Sequence, residues 1–180
     1  VEYIDQGTIK HVSEAFKEDP LRILRAARYK ARLEHNIDAD LYTGTIPDSI
    51  PFTIAAETKS VMRNMAHKLN LMSKDRIGKE IKKAMRETVD PTRFWDTLKE
   101  VGALAVIAPT LDRAEIVPAG PKEYHGEGDT YTHTMMVTKR MFELCEEDNI
   151  TGTDRVRLLL MATAHDLGKV RVADEKGGLH

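Results

Sequence analysis

His11-Val-Ser-Glu-Ala-Phe-Lys-Glu18-Asp19-Pro20-Leu-Arg22-Ile-Leu-Arg25-Ala-Ala-Arg28-Tyr-Lys-Ala-Arg32 is the stretch on which the reading of this chain turns. Asp19 has the short carboxylate of a helix N-cap, able to accept orphan backbone N–H bonds. Pro20 follows at the first helical position, where a missing N–H costs nothing. Helical spacing then places Arg22, Arg25, Arg28 and Arg32 three or four residues apart, giving a basic side. Leu21, Leu24 and Ala27 or Ala31 supply an apolar seam beside it. On spacing alone this is a well-capped amphipathic helix whose arginines face water. The order Glu18-Asp19-x-x-Arg22 adds something more specific. A carboxylate acceptor and a planar guanidinium fork sit side by side at the helix start, and those are the pieces that read the edge of a nucleobase.

The remaining chain is compatible with a helical protein of ordinary composition. It has 180 residues, 41% hydrophobic and 31% charged, enough to bury one core or two small ones. A formal net charge of -2 gives no global attraction to nucleic acid, so any RNA contact must come from local basic patches. The single cysteine, Cys145, allows no internal disulfide and fits a reducing cytoplasm. No apolar run reaches the roughly 20 residues of a membrane span. Val1 to Lys10 reads as the tail of a preceding element. Because the chain opens at Val1 and its motifs look cut at both ends, it is expected to be a fragment, a processed chain or half of a split enzyme.

Beyond the first helix, residues 36–51 form a turn-rich connection with Gly44, Pro47 and Pro51. Thr53 is expected to cap a second helix lined by Ile54, Thr58, Val61, Met62, Met65 and Leu69. Ser73 starts a third, with Ile77, Ile81, Ala84 and Met85 inward. Asp90-Pro91 repeats the start signal for a fourth, burying Phe94, Trp95, Leu98 and Val101 and ending at Gly102. No strand-like alternation of useful length occurs, so the fold class is all-α. From Leu104 to Pro121 the composition turns to Pro, Ala and Gly, a boundary between helical units.

A second constellation follows: His125-Gly-Glu127-Gly-Asp129-Thr130-Tyr-Thr-His133-Thr134, and later Leu158-Leu-Leu-Met-Ala-Thr-Ala-His165-Asp166-Leu-Gly-Lys169. Imidazole and carboxylate together suit divalent metals. Taken singly, His133 reads as a satisfied half-buried histidine and His165 as a charge favoured at a helix end.

The first stretch resembles the neck helix of the tRNA nucleotidyltransferases (CCA-adding enzymes) and of the related bacterial poly(A) polymerases. His11-Val12, Phe16, Glu18-Asp19-x-x-Arg22 and Leu24-Arg25-x-Ala27-Arg28-Tyr29-x-Ala31-Arg32 carry the likeness. It implies that Asp19 and Arg22 read the base of incoming CTP or ATP, with Glu18 orienting Arg22. Arg25 and Arg28 would complete the nucleotide-binding set, and Arg32 would be an RNA contact, all three facing phosphates. Arg76-Ile77-x-x-Glu80 resembles the family motif that braces this helix against its neighbour. The second constellation resembles the HD superfamily of metal-dependent phosphohydrolases, which some bacterial CCA-adding enzymes carry after their tail. That likeness implies metal ligands at His133, His165 and Asp166. Asp166 and Lys169 would then serve catalysis, with Lys169 meeting a substrate phosphate and Asp129 serving as a first-turn cap. The family's fourth ligand, a more distant Asp, is expected beyond His180; Asp174, expected in a loop that the resemblance does not mark as ligating, or His180 are substitutes.

Together the resemblances imply a neck and body over residues 1–108 and a partial HD domain over residues 109–180. The metal at the HD site would be Mg, Mn, Ni or Co, with Mg accompanying CTP or ATP in the complete enzyme. The Gly-Ser…Asp-x-Asp head motif that holds two metals for nucleotidyl transfer does not occur in these 180 residues. The chain alone is therefore expected to add no nucleotides, and its partners would be tRNA, CTP, ATP and a separate catalytic head polypeptide. The alternatives are a stand-alone HD phosphohydrolase or phosphodiesterase, a poly(A) polymerase fragment, or a non-catalytic RNA-binding module.

Overall fold

A computed structural model describes residues 7–33, 52–120, 126 and 128–176, and the connection at residues 36–51 lies outside them. The described residues are overwhelmingly helical, so the protein is all-α as the sequence implies. None of their helices is long and apolar enough to cross a membrane. The chain divides into two compact units, Val1–Ala103 and Leu104–His180.

The first unit is built on helix α1, Leu21–Leu33. Asp19 Oδ1 accepts the Leu21 N–H at 3.0 Å, so the expected cap is in place. Helix α1 buries Leu21, Ile23, Leu24, Ala26, Ala27 and Ala31, more of its circumference than the expected seam. Two partners account for this: α3 (Lys74–Glu87) and α4 (Pro91–Glu100) both pack on it. Small residues at Ala26, Ala27 and Ala31 let both neighbours approach closely.

Local start signals place those partners. Ser73 Oγ accepts the Arg76 N–H at 3.3 Å at the start of α3. Asp90 Oδ1 accepts the Thr92 N–H at 3.0 Å at the start of α4, with Pro91 at its first position. The Thr88 hydroxyl donates to the Ala31 carbonyl of α1 at 3.2 Å and accepts the Asp90 N–H at 3.1 Å, tying the end of one helix to the start of another. Gly102 closes the segment at φ +72°, a conformation favouring glycine. Asp90→Ala is expected to lower the stability of the chain by about 1 kcal/mol, read as a shift of the urea midpoint at constant slope.

Thr53 does not cap α2. Thr53–Ile54 (β2) pairs in parallel with Thr8–Ile9 (β1), Thr8 opposite Thr53 and Ile9 opposite Ile54. Backbone bonds from Thr53 to Gly7 and from Ala55 to Ile9 hold the pair at 2.8 and 3.0 Å. Branched Thr and Ile favour this extended state, and α2 starts later, at Ala56, running to Met65. Ile54, Thr58, Met62, Met65 and Leu69 are buried as expected, the last on a 3₁₀ helix, Ala66–Leu71.

The second unit opens with two short helices, α5 (Leu104–Ile107) and α6 (Pro109–Arg113). A bridge between Pro118 and Asp129 leads into α7, Thr130–Glu147. Asp129 caps α7 by accepting the Thr132 N–H at 2.8 Å. Helix α8, Gly152–Ala164, packs along α7, the Thr138 and Thr163 hydroxyls meeting at 3.3 Å. Helix α9 is Leu167–Lys176. Asp174 therefore belongs to a helix and not to a loop, because nothing in Lys169-Val-Arg-Val-Ala interrupts α9.

Candidate functional site

Two groups of side chains match the residues singled out above, one in each unit. In the first unit the arginines of α1 sort into different environments. Arg28 is only 8% exposed. It pairs with Glu80 at 3.6 Å, donates to Glu87 and lies 4.7 Å from the Tyr29 ring centroid. Arg25 donates to Glu80 at 3.2 Å, and Arg32 approaches Glu87 at 3.7 Å. Glu80, itself 6% exposed, thus sits between two arginines of α1, and a buried charge demands such company. Arg28 points into this brace and not toward an open face, unlike what a phosphate contact requires.

Asp19 does two jobs. One carboxylate oxygen caps α1, while the other lies 3.6 Å from Arg76 and 4.0 Å from Arg25. The Arg76 and Glu80 pair of α3 therefore reaches both the start and the middle of α1. Glu18 is exposed and Arg22 half-buried, and among the described residues neither is in an ion pair. Among the described residues the donor fork of Arg22 meets no carboxylate, and Glu18 is not drawn onto it. Next to this group lies an open cleft of ≈ 360 Å³ bordered by Leu21, Arg25 and Arg76.

In the second unit, His133 comes from the first turn of α7, and His165-Asp166 from the junction of α8 and α9. Their candidate ligand atoms all lie within 4.8 Å of one another. Asp166 Oδ2 is 3.3 Å from His165 Nε2 and 3.7 Å from His133 Nε2. The imidazoles are 5.5 Å apart, centroid to centroid. His165 Nδ1 lies 2.7 Å from the Ala162 carbonyl. A carbonyl only accepts, so Nδ1 carries the proton and the Nε2 lone pair is free to bind a metal. Two imidazoles and a carboxylate converging in this way fit a divalent cation by their donor chemistry.

Lys169 Nζ reaches Asp166 Oδ2 at 2.7 Å and donates to the Ala119 carbonyl at 2.8 Å. Burial by itself raises the Asp166 pKa. The Lys169 hydrogen bond and the charges of His165, Lys169 and His133 outweigh it and hold the carboxyl below its usual range. Asp166 is accordingly an anion at neutral pH, as a ligand must be. Among the described residues, two of the three Lys169 donor bonds are engaged. His125, Glu127 and His180, and the side chain of Asp174, lie outside the described residues. The role of Ala119 was invisible in sequence, since a backbone carbonyl carries no residue signature.

Residues 51–115 match the family model described as "Probable RNA and SrmB- binding site of polymerase A", and residues 130–180 match the HD domain. Over 174 residues, 96% of the chain, it is 37% identical to "Multifunctional CCA protein" of Pasteurella multocida (strain Pm70). Over 168 residues, 92% of the chain, it is 36% identical to "Multifunctional CCA protein" of Vibrio campbellii (strain ATCC BAA-1116). The chain spans 37% and 36% of the length of these two relatives. No solved structure matches it.

Proposed function

We propose that this chain, which belongs to the family of CCA-adding tRNA nucleotidyltransferases and poly(A) polymerases and carries an HD domain, selects the base and binds the RNA during CCA addition to tRNA. Asp19 and Arg22 read the Watson–Crick edge of CTP or ATP, Asp19 as acceptor and Arg22 as donor. The observation that carries this reading is the setting of the pair at the start of α1. Asp19 is steadied by Arg25 and Arg76, while the Arg22 fork has no ion-pair partner among the described residues. Such a pair reads a base well only if its geometry is held before the nucleotide arrives. Glu80 and Arg28 hold α1 in register with α3. Transfer itself requires the carboxylate-bearing head, on the same polypeptide or a separate one. A cytoplasmic setting agrees with this role.

The test is incorporation of labelled CTP and ATP into tRNA lacking its CCA end, in the assembled enzyme. Asp19→Ala should degrade the choice between C and A at least tenfold while tRNA affinity changes less than twofold, about 0.4 kcal/mol. Equal loss of both would remove Asp19 from base reading.

A second activity is favoured by the convergence of His133, His165 and Asp166: hydrolysis of phosphomonoesters or 2′,3′-cyclic phosphates. A divalent metal held there would make a bound water nucleophilic near neutral pH. Lys169 keeps Asp166 aimed at the site and offers its third N–H to a substrate phosphate.

A further inference from the structure

The outer face of α3 carries Lys79, Lys82, Lys83 and Arg86, spaced i, i+3, i+4 and i+7, so they form one exposed row. These four cations also border the cleft that Arg25 and Arg76 line. Two of the three carboxylates of the same helix are engaged with the arginines of α1, and the third sits at one end of the row. Glu80 is buried between Arg25 and Arg28, Glu87 serves Arg28 and Arg32, and Asp75 pairs with Lys79. Among the described residues, Lys82, Lys83 and Arg86 have no carboxylate in ion-pair range. In a chain with a net charge of -2, this local excess is the kind of patch that a polyanion needs.

We propose that the Lys79–Arg86 row is the docking strip for the sugar-phosphate backbone of the RNA strand being extended; this rests on the RNA-binding reading above. The seven helical rises from Lys79 to Arg86 cover about 10 Å, and one strand presents a charge every ~3.4 Å of duplex axis. The strip therefore faces about three successive phosphates. Its cleft ends at Arg76 and Arg25, which also hold Asp19. A strand lying along it brings its end toward the base-reading pair. Lysines on a helix also serve solubility, but a merely solvated row carries no share of the salt dependence of RNA binding.

That difference is measurable in the full chain by fluorescence anisotropy with a tRNA acceptor-stem minihelix lacking CCA, between roughly 50 and 200 mM salt. The double variant Lys82→Gln/Lys83→Gln removes both charges and keeps the helix propensity of α3. Each phosphate contact contributes about 0.9 to the slope of log affinity against log salt for duplex and ~0.7 for a single strand. The double variant should therefore lose about 1.4 to 1.8 of the slope, and the charge reversal Lys82→Glu/Lys83→Glu more. Retained binding with an unaltered slope overturns the strip and leaves the RNA-binding reading standing. A parent chain that binds no minihelix even at the lowest salt overturns that reading and the strip with it. Weaker CTP binding with an unaltered RNA slope overturns the backbone assignment, moving these cations to the nucleotide triphosphate.

Discussion

Glu80→Ala is expected to lower the unfolding free energy by about 2–4 kcal/mol. Removing one partner from a buried ion pair typically costs ~3–5 kcal/mol, because the survivor is left charged in a poorly solvated place. Here the survivor is Arg28, 8% exposed. Two features reduce the loss. Arg28 keeps Glu87, and Arg25, with a 41% exposed side chain, turns to water at little cost. The geometry of the pair also matters. Arg28 Nε and Glu80 Oε2 approach at 3.6 Å but are both buried without a hydrogen bond. Their mutual attraction is then poorly matched to the desolvation it offsets. The double variant Arg28→Met/Glu80→Met should consequently be less destabilised than Glu80→Ala alone. Urea denaturation followed by circular dichroism reads both. A Glu80→Ala midpoint no lower than that of Glu87→Ala would show that Glu80 does not hold α1 to α3.

What the sequence revealed and what it hid follow from the range of each interaction. Caps act within a turn, so Asp19, Ser73, Asp90 and Asp129 announce their helices by local chemistry alone, as Gly102 announces an end. The His133, His165 and Asp166 group was legible because the His-Asp pair is contiguous and its partner opens a neighbouring helix. The β1–β2 pair was not legible, since two residues show no alternation and their partner lies far along the chain. Thr53 looks equally like a cap or a strand residue until Thr8 is seen beside it. The arginine stripe of α1 was visible, but its division was not. Arg28 is buried and Arg22 is not because Glu80 and Glu87 approach from another helix, Glu80 being 55 residues from Arg25. The strip on α3 had a local signature, the spacing of Lys79, Lys82, Lys83 and Arg86. What gives that spacing meaning is the diversion of Glu80 and Glu87 to the arginines of α1, and this appears only in three dimensions.

His165→Ala is expected to reduce divalent-metal affinity more than about 100-fold. Losing a mere outer-shell partner already costs ~10–100-fold, and His165 supplies one of only three ligand groups that converge among the described residues. The substitution also deletes the Nδ1–H anchored on Ala162, the bond that presents the Nε2 lone pair. Calorimetric titration of the full chain with Mg, Mn, Ni and Co reads the loss directly and names the preferred ion, independently of any turnover. A second reading comes from thermal unfolding. A ligand at 100 times its dissociation constant stabilises the folded state by about 2.7 kcal/mol, so the preferred metal should raise the unfolding temperature of the parent chain and leave His165→Ala almost unmoved. Because Ala removes a side chain that is 33% exposed and outside the core, the variant should fold with nearly parental stability when metal is absent. The loss is then one of affinity and not of structure. Equal metal affinity in parent and variant would remove His165 from the metal site and would return His133 and Asp166 to an ordinary histidine–carboxylate contact.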